Sequence, residues 1–173
     1  MSISKPLADL QMALAKRHFP ATPAQAGSLD LAYEQIVVAL DPSEDLTPRI
    51  VQLQHIPIDD GGEAPTPGHV THYLQCVSVL GIAIKPACLG EVARLILAIN
   101  KTLEWPGFGL SEKDLAIYLQ VVHPCYGALP GHDAVEDILA MMELYLDTFS
   151  GTLGQVAQGT VTFAQALSQH AHT

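Results

Sequence analysis

The residues best suited to chemistry are eight histidines and three cysteines: His18, His55, His69, His72, His123, His132, His170 and His172, with Cys76, Cys88 and Cys125. A zinc site takes ligands fixed on one face, in short pairs such as Cys-x2-Cys or a helical His-x3-His. None of those spacings occurs, so scattered strand-end and surface histidines are expected. A cysteine nucleophile needs a histidine within hydrogen-bond reach and an electropositive setting that lowers the thiol pKa. Cys125 with His123 or His132 is the one local candidate, and the prolines and glycines around it read equally well as a strand-to-helix connection. The glycines of PGFGLSEKD (Pro106 to Asp114) lack the GxxxxGK[ST] phosphate cradle and read as turn glycines. Asp59-Asp60 and Ser43-Glu44-Asp45 place carboxylates in loops without EF-hand spacing. The sequence therefore assigns no catalytic, metal or cofactor residue. A small metal-dependent or thiol enzyme using His123, Cys125 and His132 stands as the alternative, beside a ligand-binding regulatory module.

The elements that must position these residues follow from composition and periodicity. The 173 residues are 49% hydrophobic, enough to bury a full core, and predict one domain over 1–173 with its core at about 5–157 and a peripheral tail at 158–173. Eight Lys and Arg against 18 Asp and Glu give a formal charge of -10, which repels phosphate backbones and anionic lipid. Neither nucleic acid nor membrane is an expected partner. The N-terminus has no apolar signal-type stretch and no later run suits a spanning helix, so the expected compartment is the cytoplasm. Lys113 is the last Lys or Arg, and the chain beyond it is purely acidic. The odd number of cysteines, set in apolar runs, argues against a disulfide framework.

Leu7, Leu10, Ala13 and Leu14 recur at helical spacing and predict a short first helix, stopped by the Pro/Ala/Gly segment Pro20 to Gly27. Three strands are then predicted, over Leu31 to Leu40, Arg49 to Ile58 and Tyr73 to Ile84. In the second, Val51, Leu53 and His55 alternate with Ile50, Gln52, Gln54 and Ile56, giving one apolar face and one rich in amides. The segment Asp59 to Val70 reads as a loop. Val92, Leu95, Ile96 and Ile99 form the stripe of a core helix, bounded by Pro86 and by the turn Trp105-Pro106-Gly107. Leu115, Ile117, Leu119 and Val121 alternate through a fourth strand that stops at Pro124. A long last helix, capped by Asp133, buries Val135, Ile138, Leu139, Met142, Tyr145, Leu146, Phe149, Leu153 and Val156. The tail is either a short separate helix, TFAQALSQ, or frayed.

The order α-β-β-β-α-β-α predicts an α+β fold, an antiparallel sheet of about four or five strands packed against two long helices. With the helix Val92 to Leu103 containing Asn100, the bend PGFGLSEKD and the strand AIYLQVVHP (Ala116 to Pro124), this order resembles the YbjN-like proteins and the type III secretion chaperone-like superfamily over roughly Leu29 to Val156. The resemblance implies a small, acidic, usually dimeric cytoplasmic protein without catalytic residues, whose secretion-chaperone members hold partly unfolded client segments on apolar patches. A sheet covered on one face leaves its other face to be buried. Ile50, Ile56, Tyr118 and Val122 are expected on that face as protein-binding residues, with a second copy of the chain and another protein or peptide as partners.

Overall fold

The computed structural model describes residues 3–17, 19–24, 33–41, 49–58, 69–105 and 107–170. The predicted loop Asp59 to Val70 lies outside them up to residue 68, as do the acidic turn Ser43-Glu44-Asp45, His18 and His172. Ten elements and one 3-10 turn follow: α1 Lys5–Ala15, β1 Ala21–Ala24, β2 Glu34–Leu40, β3 Arg49–Pro57, β4 His72–Leu80, the turn Pro86–Cys88, α2 Leu89–Asn100, β5 Phe108–Ser111, β6 Ala116–Cys125, α3 His132–Ala157 and α4 Phe163–His170. The fold is α+β, with six strands in the order β1-β2-β3-β4-β6-β5. The described residues group into two compact units, one of 1–78 with 121–140, the other of 79–120 with 141–173.

In the first unit, β1 to β4 form an antiparallel meander. Alternation sends Ile36, Val38, Val51, Leu53, Leu74 and Cys76 to one side, where they are buried with Leu7, Leu10 and Leu14 of α1 and Val135, Ile138 and Leu139 of α3. Each such side chain removed from water contributes about 1.5–3 kcal/mol. The predicted stripe of α1 is the buried one, and Gln11 Nε2 adds a hydrogen bond to the Ala21 carbonyl at 3.0 Å. The start of α3 is held to α1 through Arg17, whose guanidinium donates to Asp133 and Glu136. Asp133 therefore stands in the first turn of α3 instead of capping it. Negative charge there suits the positive end of the helix dipole.

β1 departs from the sequence expectation. The Pro/Ala/Gly segment lacks strand periodicity, yet Ala21–Ala24 pairs with Val38 to Gln35. Its place at the sheet edge explains why Pro23 is tolerated there, since an edge strand has one row of backbone groups that needs no ladder partner.

In the second unit, Val92, Leu95, Ile96 and Ile99 of α2 are buried as their spacing predicts, with Met142, Leu146, Leu153 and Val156 of α3. The Phe108 ring meets Phe149 edge to face, 5.9 Å between centroids. β4 ends at Leu80, short of the predicted Ile84, because the following backbone turns to other partners. Gln158 Nε2 donates to the Ala83 carbonyl and Lys85 N–H to the Ala157 carbonyl.

The tail forms a helix with its own N-terminal lock. Gln165 Oε1 accepts from Thr162 N–H at 2.9 Å while Thr162 Oγ1 accepts from Gln165 N–H at 3.3 Å, a reciprocal capping box written in the sequence as Thr-x-x-Gln. α4 is docked on α2: Ala166 is fully buried, Glu91 accepts from Phe163 N–H, and the Arg94 guanidinium lies 4.3 Å above the Phe163 ring.

The strand β5 stands where the sequence predicts a glycine bend, and its glycines have a sheet-specific reason. A Cβ on Gly107 would collide with the Gln120 carbonyl, and one on Gly109 would collide with the phenol end of Tyr118. Gly109 and Tyr118 are cross-strand partners, so the aromatic ring covers the bare backbone opposite it. Leu115, predicted as strand, instead occupies the hairpin turn with φ 49°, beside a Ser111 Oγ–H to Asp114 Oδ2 hydrogen bond of 2.7 Å. Pro124 lies within β6 and does not end it. β5 pairs only with Ala116 to Leu119, so the last residues of β6 have no β5 ladder for a proline to interrupt.

Candidate functional site

The side of the first unit's strands turned away from its core carries Gln35 and Val37 of β2, Ile50, Gln52, Gln54 and Ile56 of β3, Tyr73, Gln75 and Val77 of β4, and Val122 of β6. These are the positions that alternate with the buried ones. None of them is Asp, Glu, Lys, Arg or His. Antiparallel register aligns Gln35 with Gln54 and Gln54 with Gln75. The side chains complete what the backbone aligns: Gln75 Nε2 donates to Gln54 Oε1 at 3.3 Å, and Gln54 Nε2 donates to Gln35 Oε1 at 3.0 Å. Gln35 retains only 1% of its exposure, so the bond from Gln54 satisfies a carbonyl that water does not reach freely.

Large apolar side chains flank this amide row. Ile50 is 43% exposed, Val122 46% and Tyr73 36%, and Ile56 sits half-buried opposite Tyr73. All four residues expected on the open face, Ile50, Ile56, Tyr118 and Val122, alternate with the buried positions of their strands, and Ile50, Ile56 and Val122 belong to the first unit. Tyr118 belongs to the second unit, where it is half-buried over Gly109. Sequence reasoning recognised the amides of β3 but missed Gln35, Tyr73 and Gln75. Their signal was a glutamine on each of three consecutive strands, which becomes a row only when register is known.

Both margins of the sheet are blunted. β1 carries Pro23. On β5, Asn100 at the end of α2 turns its amide onto the strand, with Nδ2 donating to the Phe108 carbonyl at 2.8 Å and Oδ1 accepting the Phe108 N–H at 3.1 Å. The side chain thereby occupies backbone groups that an added strand would use, one of the ways proteins protect sheet edges.

The residues of the alternative chemistry are arranged differently. The Cys125 thiol is buried and donates to the main-chain carbonyl of His123 at 3.5 Å, not to its ring. Burial pushes this thiol above its ordinary pKa, opposed by a hydrogen bond from the Leu74 backbone. Cys76 is pushed up to about 12 by burial and by its proximity to Cys125. Such thiols stay protonated near neutral pH and are poor nucleophiles. His132 is exposed at the start of α3, 3.3 Å from Asp133, and lines two shallow grooves along α1 of about 320 and 350 Å³ with Asp9 and Ala13. Among the described residues no group of three or more His, Cys, Asp or Glu is placed to hold a metal ion. No described helix is long and apolar enough to cross a membrane.

Comparison with models of known protein families gives no match, and no curated protein matches the chain.

Proposed function

We propose that this protein is a non-enzymatic, cytoplasmic homodimer of chaperone-like fold that holds or regulates another protein, and that two copies meet through the uncharged face of the first unit. The observation that carries the reading is that, among the described residues, this face carries no Asp, Glu, Lys, Arg or His, in a chain of formal charge -10. Two copies of so acidic a protein repel one another over most approaches. A face of Ile50, Tyr73, Val122 and paired glutamines removes that repulsion where they touch. It is also self-complementary, because glutamine amides both donate and accept and so can pair across a two-fold axis.

The resemblance to YbjN-like and secretion-chaperone proteins agrees with this reading and supplies the class of client, a polypeptide segment. The enzyme alternative has less support, since the thiol it needs is buried and held protonated.

Size-exclusion chromatography with light scattering tests the proposal. The wild-type chain is expected to elute as a dimer at micromolar concentration. Ile50→Glu with Val122→Glu, two exposed changes that leave the core untouched, should give folded monomers. A monomeric wild type, or a folded double variant that stays dimeric, overturns it.

A further inference from the structure

A second feature of the first unit lies on its core side, where β3, β4 and the end of β6 come together. His72, the first residue of β4, meets His55 of β3 edge to face with 4.6 Å between ring centroids. Thr71, its neighbour, is the hub of a compact set of bonds. Thr71 N–H donates to the Cys125 carbonyl at 2.9 Å, its hydroxyl donates to the same carbonyl at 3.3 Å, and Oγ1 accepts the Gly127 N–H at 2.9 Å. With its proton so committed, Oγ1 is an acceptor for His72 Nδ1, 2.9 Å away. That assignment places the ring's proton on Nδ1 and leaves Nε2 bare. Nε2 is buried and has no hydrogen-bond partner among the described residues.

We propose that this corner is a proton-released latch: uptake of one solvent proton by His72 at mildly acidic pH frees the Cys125–Gly127 end of β6 from the start of β4. A proton can enter the ring only at Nε2. There it would create a buried N–H without an acceptor and a cation against the His55 ring, both unfavourable while the corner is closed. Burial, and then His55, hold the His72 imidazole below its ordinary range. Among the described residues no carboxylate offsets these two effects on His72. Glu34, at the head of β2, lies cross-strand from His55 and is bound by Ser4 N–H; the Cys125 thiol on β6 is kept neutral by burial, and its neighbour His123 can bring no negative charge; Lys5 of α1 pairs with Asp9, and Asp133 and Glu136 of α3 pair with Arg17. The closed corner is thus the neutral state. Its stability is complete above the unfolded histidine pKa of about 6.5 and declines as the pH falls below that value.

Amide hydrogen exchange on the full chain reads the latch directly. If opening takes up one proton, the protection factors of Thr71 and Gly127 should fall about tenfold per pH unit below about pH 6.5, while that of Leu53, in the middle of β3, should not follow. His72→Gln should abolish the slope. The imidazole signal of His72 in the wild type provides a reading independent of any variant: its midpoint should lie below that of the same residue in urea. Protection that is flat with pH, an equal slope in His72→Gln, or a midpoint at or above the unfolded one would each overturn the latch.

Discussion

Replacing Gln54 by alanine isolates the amide row. Gln54 is the middle member, donating to Gln35 and accepting from Gln75. Its loss removes both hydrogen bonds, of which the shorter, to Gln35, is worth about 0.5–1.5 kcal/mol net, and orphans the carbonyl of Gln35, a desolvation penalty of about 1–3 kcal/mol. Gln35 is almost wholly buried, so the penalty applies in full and the expected destabilisation is about 2–3 kcal/mol. Gln75→Ala removes only the longer 3.3 Å bond between two half-buried amides and should cost under about 1 kcal/mol. Gln35→Leu with Gln54→Leu removes both partners of the buried bond and should cost less than Gln54→Ala alone. Urea denaturation at one ionic strength, read as a shift in midpoint at constant slope, measures all three. If Gln54→Ala is no more destabilising than Gln75→Ala, or the double leucine variant is the worst of the set, the row does not work as a satisfied buried network.

Two further outcomes are expected. Asn100→Ala should lower stability by about 1–3 kcal/mol by freeing the Phe108 N–H and carbonyl, and Asn100→Asp should recover only the acceptor half of the contact; exposure of a usable strand edge should also raise thioflavin binding on prolonged incubation, and unchanged aggregation would argue against edge protection. Gly107→Ala should destabilise more than Gly109→Ala under thermal melting, because the first added methyl meets the rigid backbone of Gln120 and the second meets the swingable end of Tyr118.

Much of the fold is written locally. The stripes of α2 and α3 are legible because burial of a helix face repeats every three to four residues, and Val92, Leu95, Ile96, Ile99, Val135, Ile138, Leu139 and Met142 occupy those positions. The alternation of β3, and with it the outward side for Ile50 and Ile56, is legible for the same reason at a period of two. The short strands are a different matter. β1 and β5 have four residues each, too few for a period to declare itself, and they exist because β2 and β6 supply partners. The glycines of β5 look like turn residues until the Tyr118 ring and the Gln120 carbonyl are seen in the space a side chain would fill.

The candidate site divides along the same line. Composition and periodicity alone carry the acidity of the chain, the apolar helix faces and the amide-rich face of β3. Only tertiary structure decided that Gln35, Gln54 and Gln75 form one row, that Asn100 seals the β5 edge, and that His55 and His72, separated by 17 positions in sequence (72 minus 55), touch. Periodicity specifies which way a side chain points from its own strand. Register between strands, set by pairing over long loops, specifies whom it meets.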